Sequence, residues 1–233
     1  MTEPKINRHA NAERLASALA GKIAADLADA IARDGQAVIA VSGGSTPRRL
    51  FQQLSKADID WSKVTVVLVV ERFVPPSHER SNHRLVATQL LQNAAAFAGF
   101  IPLYSAGLSP AEAALDASHR IDALNRDLDV AVLGLGSDGH TASWFPDSPD
   151  LAAVTDPQQA ATVLPVEAPS QPEPRLTLTQ PAIRNAGHTI LHIEGDAKMD
   201  VLKRALESGP VRDLPVRAIL NHTRNPLQVH WAP

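Results

Sequence analysis

The sequence predicts an α/β domain of Rossmann-like type, a largely parallel sheet with helices on both faces. Three observations predict it. Short β-branched apolar runs recur along the chain, each suited to a fully buried strand. Amphipathic helical stretches lie between them. Three of the strand-like runs end in polar loops broken by glycine or proline: Ser42–Thr46, Glu71–Asn82 and Gly136–Pro146. In such folds the loops at the carboxyl ends of the strands share one rim and bind the ligand. The chain has 233 residues, and at ~100–200 residues per domain it reads as one domain spanning residues 1–233.

The first helix runs from about Asn11 to Arg33, because Leu15, Leu19, Ile23, Leu27 and Ile31 make one apolar stripe. Asp34-Gly35 closes it, glycine being the usual residue after a helix end. Ala37–Val41 is a buried strand. Ser42-Gly43-Gly44-Ser45 is a tight turn, with Thr46 as helix N-cap and Pro47 in the first turn of a helix through Leu50 and Leu54. Val64–Val70 is a second buried strand, followed by a helix from about Asn82 to Asn93. Pro110–Asn125 is a helix and Leu128–Leu135 a third strand. Short strands are expected at Ala161–Leu164, Leu176–Leu178 and Thr189–Ile193. A helix follows from Gly195 to Leu206, then a last buried strand at Val216–Leu220 and an edge strand at Leu227–Trp231. Leu151–Pro174, rich in Ala, Gln and Pro, reads as a surface excursion.

Composition removes several function classes. The formal charge is −3, and the aromatics are five Phe, three Trp and one Tyr. Neither a basic nucleic-acid surface nor a base-stacking platform is expected. There is no cysteine, so disulfides, thiolate zinc sites and cysteine nucleophiles are excluded. No apolar run approaches the ~20 residues that span a bilayer. The N-terminal stretch lacks the apolar core of a signal peptide. A cytoplasmic location, no membrane partner and, for want of a long exposed apolar stripe, a monomer are the expectations.

Ser42-Gly43-Gly44-Ser45-Thr46-Pro47 is the strongest local signal. Glycines admit a close ligand, a following helix start aims N–H groups at an anion, and Ser45 and Thr46 add hydroxyls. The plain alternative is a strand–helix turn with a capped helix. The motif is neither a Walker loop nor GxGxxG, which disfavours a nucleotide. Arg72 stands at a strand end, where a guanidinium can fork onto phosphate or carboxylate; a surface ion pair, with Glu71 for instance, is the alternative. His140 sits in a glycine loop, Gly134-Leu135-Gly136-Ser137-Asp138-Gly139-His140-Thr141, two positions after Asp138. A neutral imidazole there serves as a general base, and Asp138 can orient it. Otherwise His140 is a loop histidine bonded to backbone. A metal site needs more ligands than this loop offers, and His78 and His83 lie in another loop at no familiar spacing. Arg175 and Lys198 are isolated cations that gain meaning only by converging on the anion at Gly43-Gly44.

AVSGGSTPRRLF, VVERFVPPSHERSN, VLGLGSDGHTASWFP and PRLTLTQPAI, in that order and spacing, resemble the bacterial-type 6-phosphogluconolactonase family over nearly the whole chain. The resemblance implies a fold shared with glucosamine-6-phosphate deaminase. It implies that Gly43, Gly44 and Ser45 seat a sugar-phosphate lactone, with Arg175 and Lys198 on its phosphate. It further implies that Arg72 contacts substrate and that His140 is the catalytic base, with no metal or organic cofactor. The family usually reads Asp-Glu-Arg where this chain has Val70-Glu71-Arg72. Ser77, Glu79 and Arg80 also depart from the common Asp, Pro and Asp.

Two other readings belong to the same fold. A deaminase or isomerase resembling this family uses a carboxylate at the strand end, where Val70 stands. It also uses a glutamate shortly after the histidine, and Thr141–Pro146 contains none. A sugar-phosphate sensor normally accompanies a DNA-binding helix-turn-helix, which nothing before Gln36 can supply.

Overall fold

The structure, a computed structural model, describes residues 4–220 and 222–233. β1 (Lys5–Arg8) leads into α1 (Ala12–Asp34). The Asn11 side chain caps α1 by accepting from the Arg14 amide at 2.9 Å, and the Gly35 N–H closes it on the Ile31 carbonyl. β2 (Ala37–Val41), α2 (Arg48–Leu54), β3 (Val64–Leu68), β4 (Val70–Arg72), α3 (Asn82–Gln89) and β5 (Gly99–Ile101) follow. α4 (Pro110–Asp122) starts in a capping box in which Ser109 and Glu112 bond each other's backbone. The remainder is β6 (Val130–Leu133), α5 (Leu151–Val154), β7 (Val163–Val166), β8 (Arg175–Leu178), α6 (Gln180–Arg184), β9 (His188–Glu194), α7 (Asp196–Leu206), α8 (Arg217–Leu220) and β10 (Gln228–Ala232).

Seven strands form one sheet in the order β1-β10-β9-β6-β2-β3-β5, every pairing parallel. Every residue of β2 and β6 is buried, so both faces of the sheet centre are covered. One hydrophobic cluster runs from Leu15 on α1 through Ile39, Val66 and Val132 to Ala232. The α1 stripe packs into it, with Leu15, Leu19, Ile23 and Leu27 fully buried. Truncating such a leucine to alanine costs about 2–5 kcal/mol, so the stripe alone secures the helix against the sheet. No helix among the described residues is long and apolar enough to cross a membrane.

The strand order reverses at β2. Its next strand in the chain, β3, lies on one side and the later β6 on the other. A crevice opens beyond the carboxyl ends at such a switch point. The loops Ser42–Thr46 and Gly134–Thr141, which leave β2 and β6, flank it.

Several expectations are corrected. Val64–Val70 is not one strand. Val69 gives its N–H to Val41 of the parallel sheet but its carbonyl to Leu178, and the chain passes there into β4. β4, β8 and β7 form a separate antiparallel sheet. Leu151–Pro174 is therefore more than an excursion, since Leu151, Val154, Val163 and Val166 are buried and β7 completes that sheet. Val216–Leu220 is the turn and helix of α8, its Ile219 and Leu220 amides both bonded to the Val216 carbonyl. A short buried apolar run carries no periodicity that separates helix from strand. Leu227–Trp231 is an interior strand, because β1 pairs on its outer side. β1 and the three-residue β5 had no recognisable pattern. Thr46 is not an N-cap: α2 begins at Arg48 after Pro47, with no side-chain cap. The helices from Asn82 and Pro110 end earlier than expected, at Gln89 and Asp122.

Candidate active site

A cleft of about 360 Å³ lies over the switch point. Gly43, Gly44, Ser45, Thr46, Arg72, His140, Arg175 and Lys198 all line it. Asp138 stands one bond behind, on His140. Three separate segments of the parallel sheet and two strands of the small sheet therefore bring together every site residue expected from the sequence.

The β2 loop forms the floor. The Ser42 hydroxyl donates to the Val132 carbonyl at 2.8 Å, tying β2 to β6 where they part. At Gly43 a Cβ would overlap the Asn82 side chain, so only glycine lets the two loops meet. Thr46, released from capping, accepts from Lys198 Nζ at 3.4 Å. Lys198 is in the first turn of α7, so two distant segments share this wall.

Arg72 and Arg175 come from the small sheet, where they face each other in the β4–β8 ladder. Arg72 Nη1 donates to the Arg80 carbonyl at 2.7 Å and to Asn82 Oδ1 at 3.1 Å. Asn82 Nδ2 in turn donates to the Val70 carbonyl at 2.7 Å. Arg72 is thus oriented by Asn82 and by backbone, and Val70 offers only its carbonyl to that chain. Burial first, then the nearby Arg175 charge, lowers the Arg72 pKa. Arg175 Nη1 donates to Glu173 Oε1 at 2.6 Å, and Nη2 donates to Gln171. Glu71 does not pair with the Arg72 guanidinium. It is fully buried and accepts from the Arg72, Asn82 and His83 amides and the Ser81 hydroxyl. Burial pushes its pKa up, against those bonds.

The β6 loop carries the imidazole. Gly136 N–H donates to the His140 carbonyl at 2.8 Å, which curls the loop. A Cβ at Gly136 would overlap the His140 ring and Asp138. His140 Nδ1 lies 2.6 Å from Asp138 Oδ1. Burial would raise the Asp138 pKa, but the bond and charge of His140 outweigh it and hold the carboxyl below its ordinary value. An ionised Asp138 can only accept, so Nδ1 carries a proton and, in the neutral ring, the lone pair is on Nε2. Phe145 packs on the ring at 4.9 Å between centroids.

Among the described residues the lining holds three cations and no carboxylate. That imbalance, next to the His140 imidazole, suits a small multiply charged anion. Sequence reading missed four contributors. Asn82 is hidden in a helix start. Gln171 and Glu173 precede Arg175 in a loop that looks like linker. His192, inside an apolar strand, lines the Lys198 wall with its Nε2 3.2 Å from Glu194. Only His192 carries a signal, its alternation with Glu194 on one face of β9.

The family model for glucosamine-6-phosphate isomerases/6-phosphogluconolactonase matches residues 10–231. A 6-phosphogluconolactonase of Rhizobium meliloti is 51% identical over 223 residues, 96% of each chain. One from Pseudomonas aeruginosa is 45% identical, over 96% of this chain and 92% of its own. The crystal structure of a 6-phosphogluconolactonase from Shewanella baltica superposes with a TM-score of 0.96 at 38% identity, over 100% of this chain and 99% of that one. Agreement in sequence, length and three-dimensional course over so much of the chain has one meaning: the protein belongs to the glucosamine-6-phosphate isomerase/6-phosphogluconolactonase family.

Proposed function

We propose that this protein hydrolyses 6-phospho-D-glucono-1,5-lactone to 6-phosphogluconate, the lactonase step of the pentose phosphate pathway. The observation that carries this reading is the pairing of a His140–Asp138 dyad with a cation-lined, carboxylate-free wall in one cleft. The names of the relatives point to the same substrate.

Arg175 and Lys198 hold the phosphate dianion, and Arg72 contacts the sugar portion. The C1 carbonyl, several carbons away, then lies beside His140. A lactone is an activated ester, so water can attack C1 directly, with no covalent intermediate. His140 Nε2 takes the proton from that water as the C–O bond forms. Asp138 holds Nδ1–H and stabilises the imidazolium, and such a base contributes ~10²–10⁴-fold. The oxyanion at C1 meets backbone N–H groups, that of Gly44 among them. The imidazolium then gives its proton to the ring oxygen as the C1–O5 bond breaks, and the carboxylic acid so formed loses its remaining proton to solvent. Gly43, Ser45 and Thr46 shape the seat. No step requires a metal or an organic cofactor. The phosphorylated substrate is a dianion that does not cross membranes, so the reading carries a cytoplasmic location with it. A single chain holds every group used, in keeping with a monomer.

The test is lactone hydrolysis by the purified protein, corrected for spontaneous opening, beside amino-sugar deamination. The expected result is lactone turnover that H140A and H140N abolish while 6-phosphogluconate still binds. Deamination without lactone turnover, or near-native kcat in H140N, overturns the reading.

A further inference from the structure

Arg72 and Arg175 are opposite partners in the β4–β8 ladder. Like charges placed so are destabilising and tend to splay apart. Here they stay together, and each lines the cleft. The group between them is Glu173. Its Oε1 lies 2.6 Å from Arg175 Nη1 and 3.6 Å from Arg72 Nε, while Oε2 takes the Arg80 guanidinium. Arg72 Nε is buried and has no hydrogen-bond partner, and among the described residues this carboxylate is the only one within 4.0 Å of the guanidinium nitrogens. Glu173 does not line the cleft. It stands behind the arginines, two residues before Arg175, and is itself mostly buried. Burial would raise its pKa, but Arg175 and Arg80 outweigh that and keep it ionised.

Resting on the lactonase reading, we propose that Glu173 is a positioning residue: it gathers Arg72 and Arg175 into one substrate-receiving pair at the cleft wall. Without it, two guanidiniums on facing strands repel. Arg72 Nε is stranded, and the incoming substrate, its phosphate on Arg175 and its sugar portion on Arg72, must draw the pair into place at the expense of its own binding energy. Arg80 ties the rim loop to the same carboxylate but is half-exposed and outside the cleft. The effect therefore runs through Arg72 and Arg175 and not through a closed rim. Since these arginines bind substrate and transition state alike, Glu173 acts on KM and leaves kcat nearly untouched.

The experiment is E173Q, which keeps the shape and removes the charge, with E173A as second variant if E173Q does not fold and R80A as control. Wild-type lactone turnover is measured first. The expected result for E173Q is a KM raised roughly tenfold with kcat within about twofold, and for R80A a KM within about twofold. An unchanged KM in E173Q, a loss confined to kcat, or an R80A effect equal to that of E173Q overturns the proposal. Absence of turnover by the wild type overturns the lactonase reading instead. The arginine Nε–H signals in ¹H–¹⁵N spectra then decide the positioning role. Broadening or displacement of the Arg72 and Arg175 signals in E173Q supports it, and signals identical to the wild type overturn it.

Discussion

Asp138 Oδ1 accepts from His140 twice, from Nδ1 at 2.6 Å and from the backbone N–H at 3.1 Å. The two bonds lock ring and backbone together. The ring cannot turn without breaking the shorter bond, and the loop cannot relax without breaking the longer one. In the neutral ring the proton is fixed on Nδ1 and the lone pair on Nε2. D138N reverses the short bond when its amide N–H₂ faces the ring, making Nδ1 the acceptor and placing the proton on Nε2. The expected result is a kcat lowered ~10²-fold or more with KM little changed, because the tautomer and not the cleft is altered. Steady-state lactone kinetics on D138N measure it. A kcat within threefold of the wild type would remove Asp138 from the mechanism.

Gly43 meets Asn82 so closely that any Cβ there must displace the Asn82 amide. That amide accepts from Arg72 Nη1 and reaches the Val70 carbonyl. G43A therefore acts through Asn82 on Arg72, a side chain that is not its neighbour in sequence. The expected result is a kcat/KM lowered roughly 10²-fold, the scale of an ångström-sized misplacement at a site. N82A is expected to reproduce much of the loss, and the double variant to add little to either single one. Full additivity in that cycle would show that the two residues act separately.

The sequence discloses the parallel sheet because its inner strands, such as Ala37–Val41 and Val130–Leu133, are buried on both faces and read as unbroken apolar runs. The β2 and β6 loops were legible for a related reason: glycines at Gly43 and Gly136 mark places where another chain segment comes too close for a Cβ. The small sheet was not legible. β4 has three residues and continues directly from β3, so only the hydrogen bonds of Val69 reveal the change of sheet. β1 is a polar edge strand without alternation. Glu173 was invisible because an ion pair is a property of facing strands, and its meaning depends on Arg72, about a hundred positions away. α8 was misread because four buried apolar residues fit either periodicity.

Glu71 is the acceptor on which the start of α3 depends. Its two oxygens receive the Arg72, Asn82 and His83 amides at 2.8, 2.7 and 2.7 Å and the Ser81 hydroxyl at 3.0 Å. E71A strands four donors at once, two of them buried and two part-buried. Each orphaned group costs about 1–3 kcal/mol before relaxation, so a loss of roughly 3 kcal/mol or more is expected. At ~2–4 °C per kcal/mol for a chain of this size, Tm falls by about 6–12 °C. Calorimetry on E71A checks it. A Tm within 2 °C of the wild type would mean that water or a neighbouring side chain takes over the acceptor role.

His230 ties acid stability to the edge of the sheet. It is buried beside His9 and Asn7, its Nδ1 3.1 Å from His9 Nε2 and its Nε2 3.4 Å from Asn7 Nδ2. With the Asn7 amide donating, Nε2 must accept and Nδ1 must donate to His9, so the set closes only around a neutral ring. A second proton would set N–H against N–H₂. Burial, then the charges of His9, His192, Lys22 and Lys5, push its pKa down to about 4. The unfolded value is about 6.5. Between the two, the unfolded chain binds a proton that the folded chain refuses. Stability therefore falls as the pH drops from 6.5 towards 4 and levels off below. At 1.36 kcal/mol per unit, the contribution is roughly 3 kcal/mol across the window. His9, also lowered by burial and by His192, adds in the same direction. H230Q keeps a donor and an acceptor but cannot titrate. The expected result is a shallower loss of urea midpoint between pH 7 and pH 4.5 in H230Q than in the wild type. Equal slopes in the two proteins would assign the acid sensitivity to other groups.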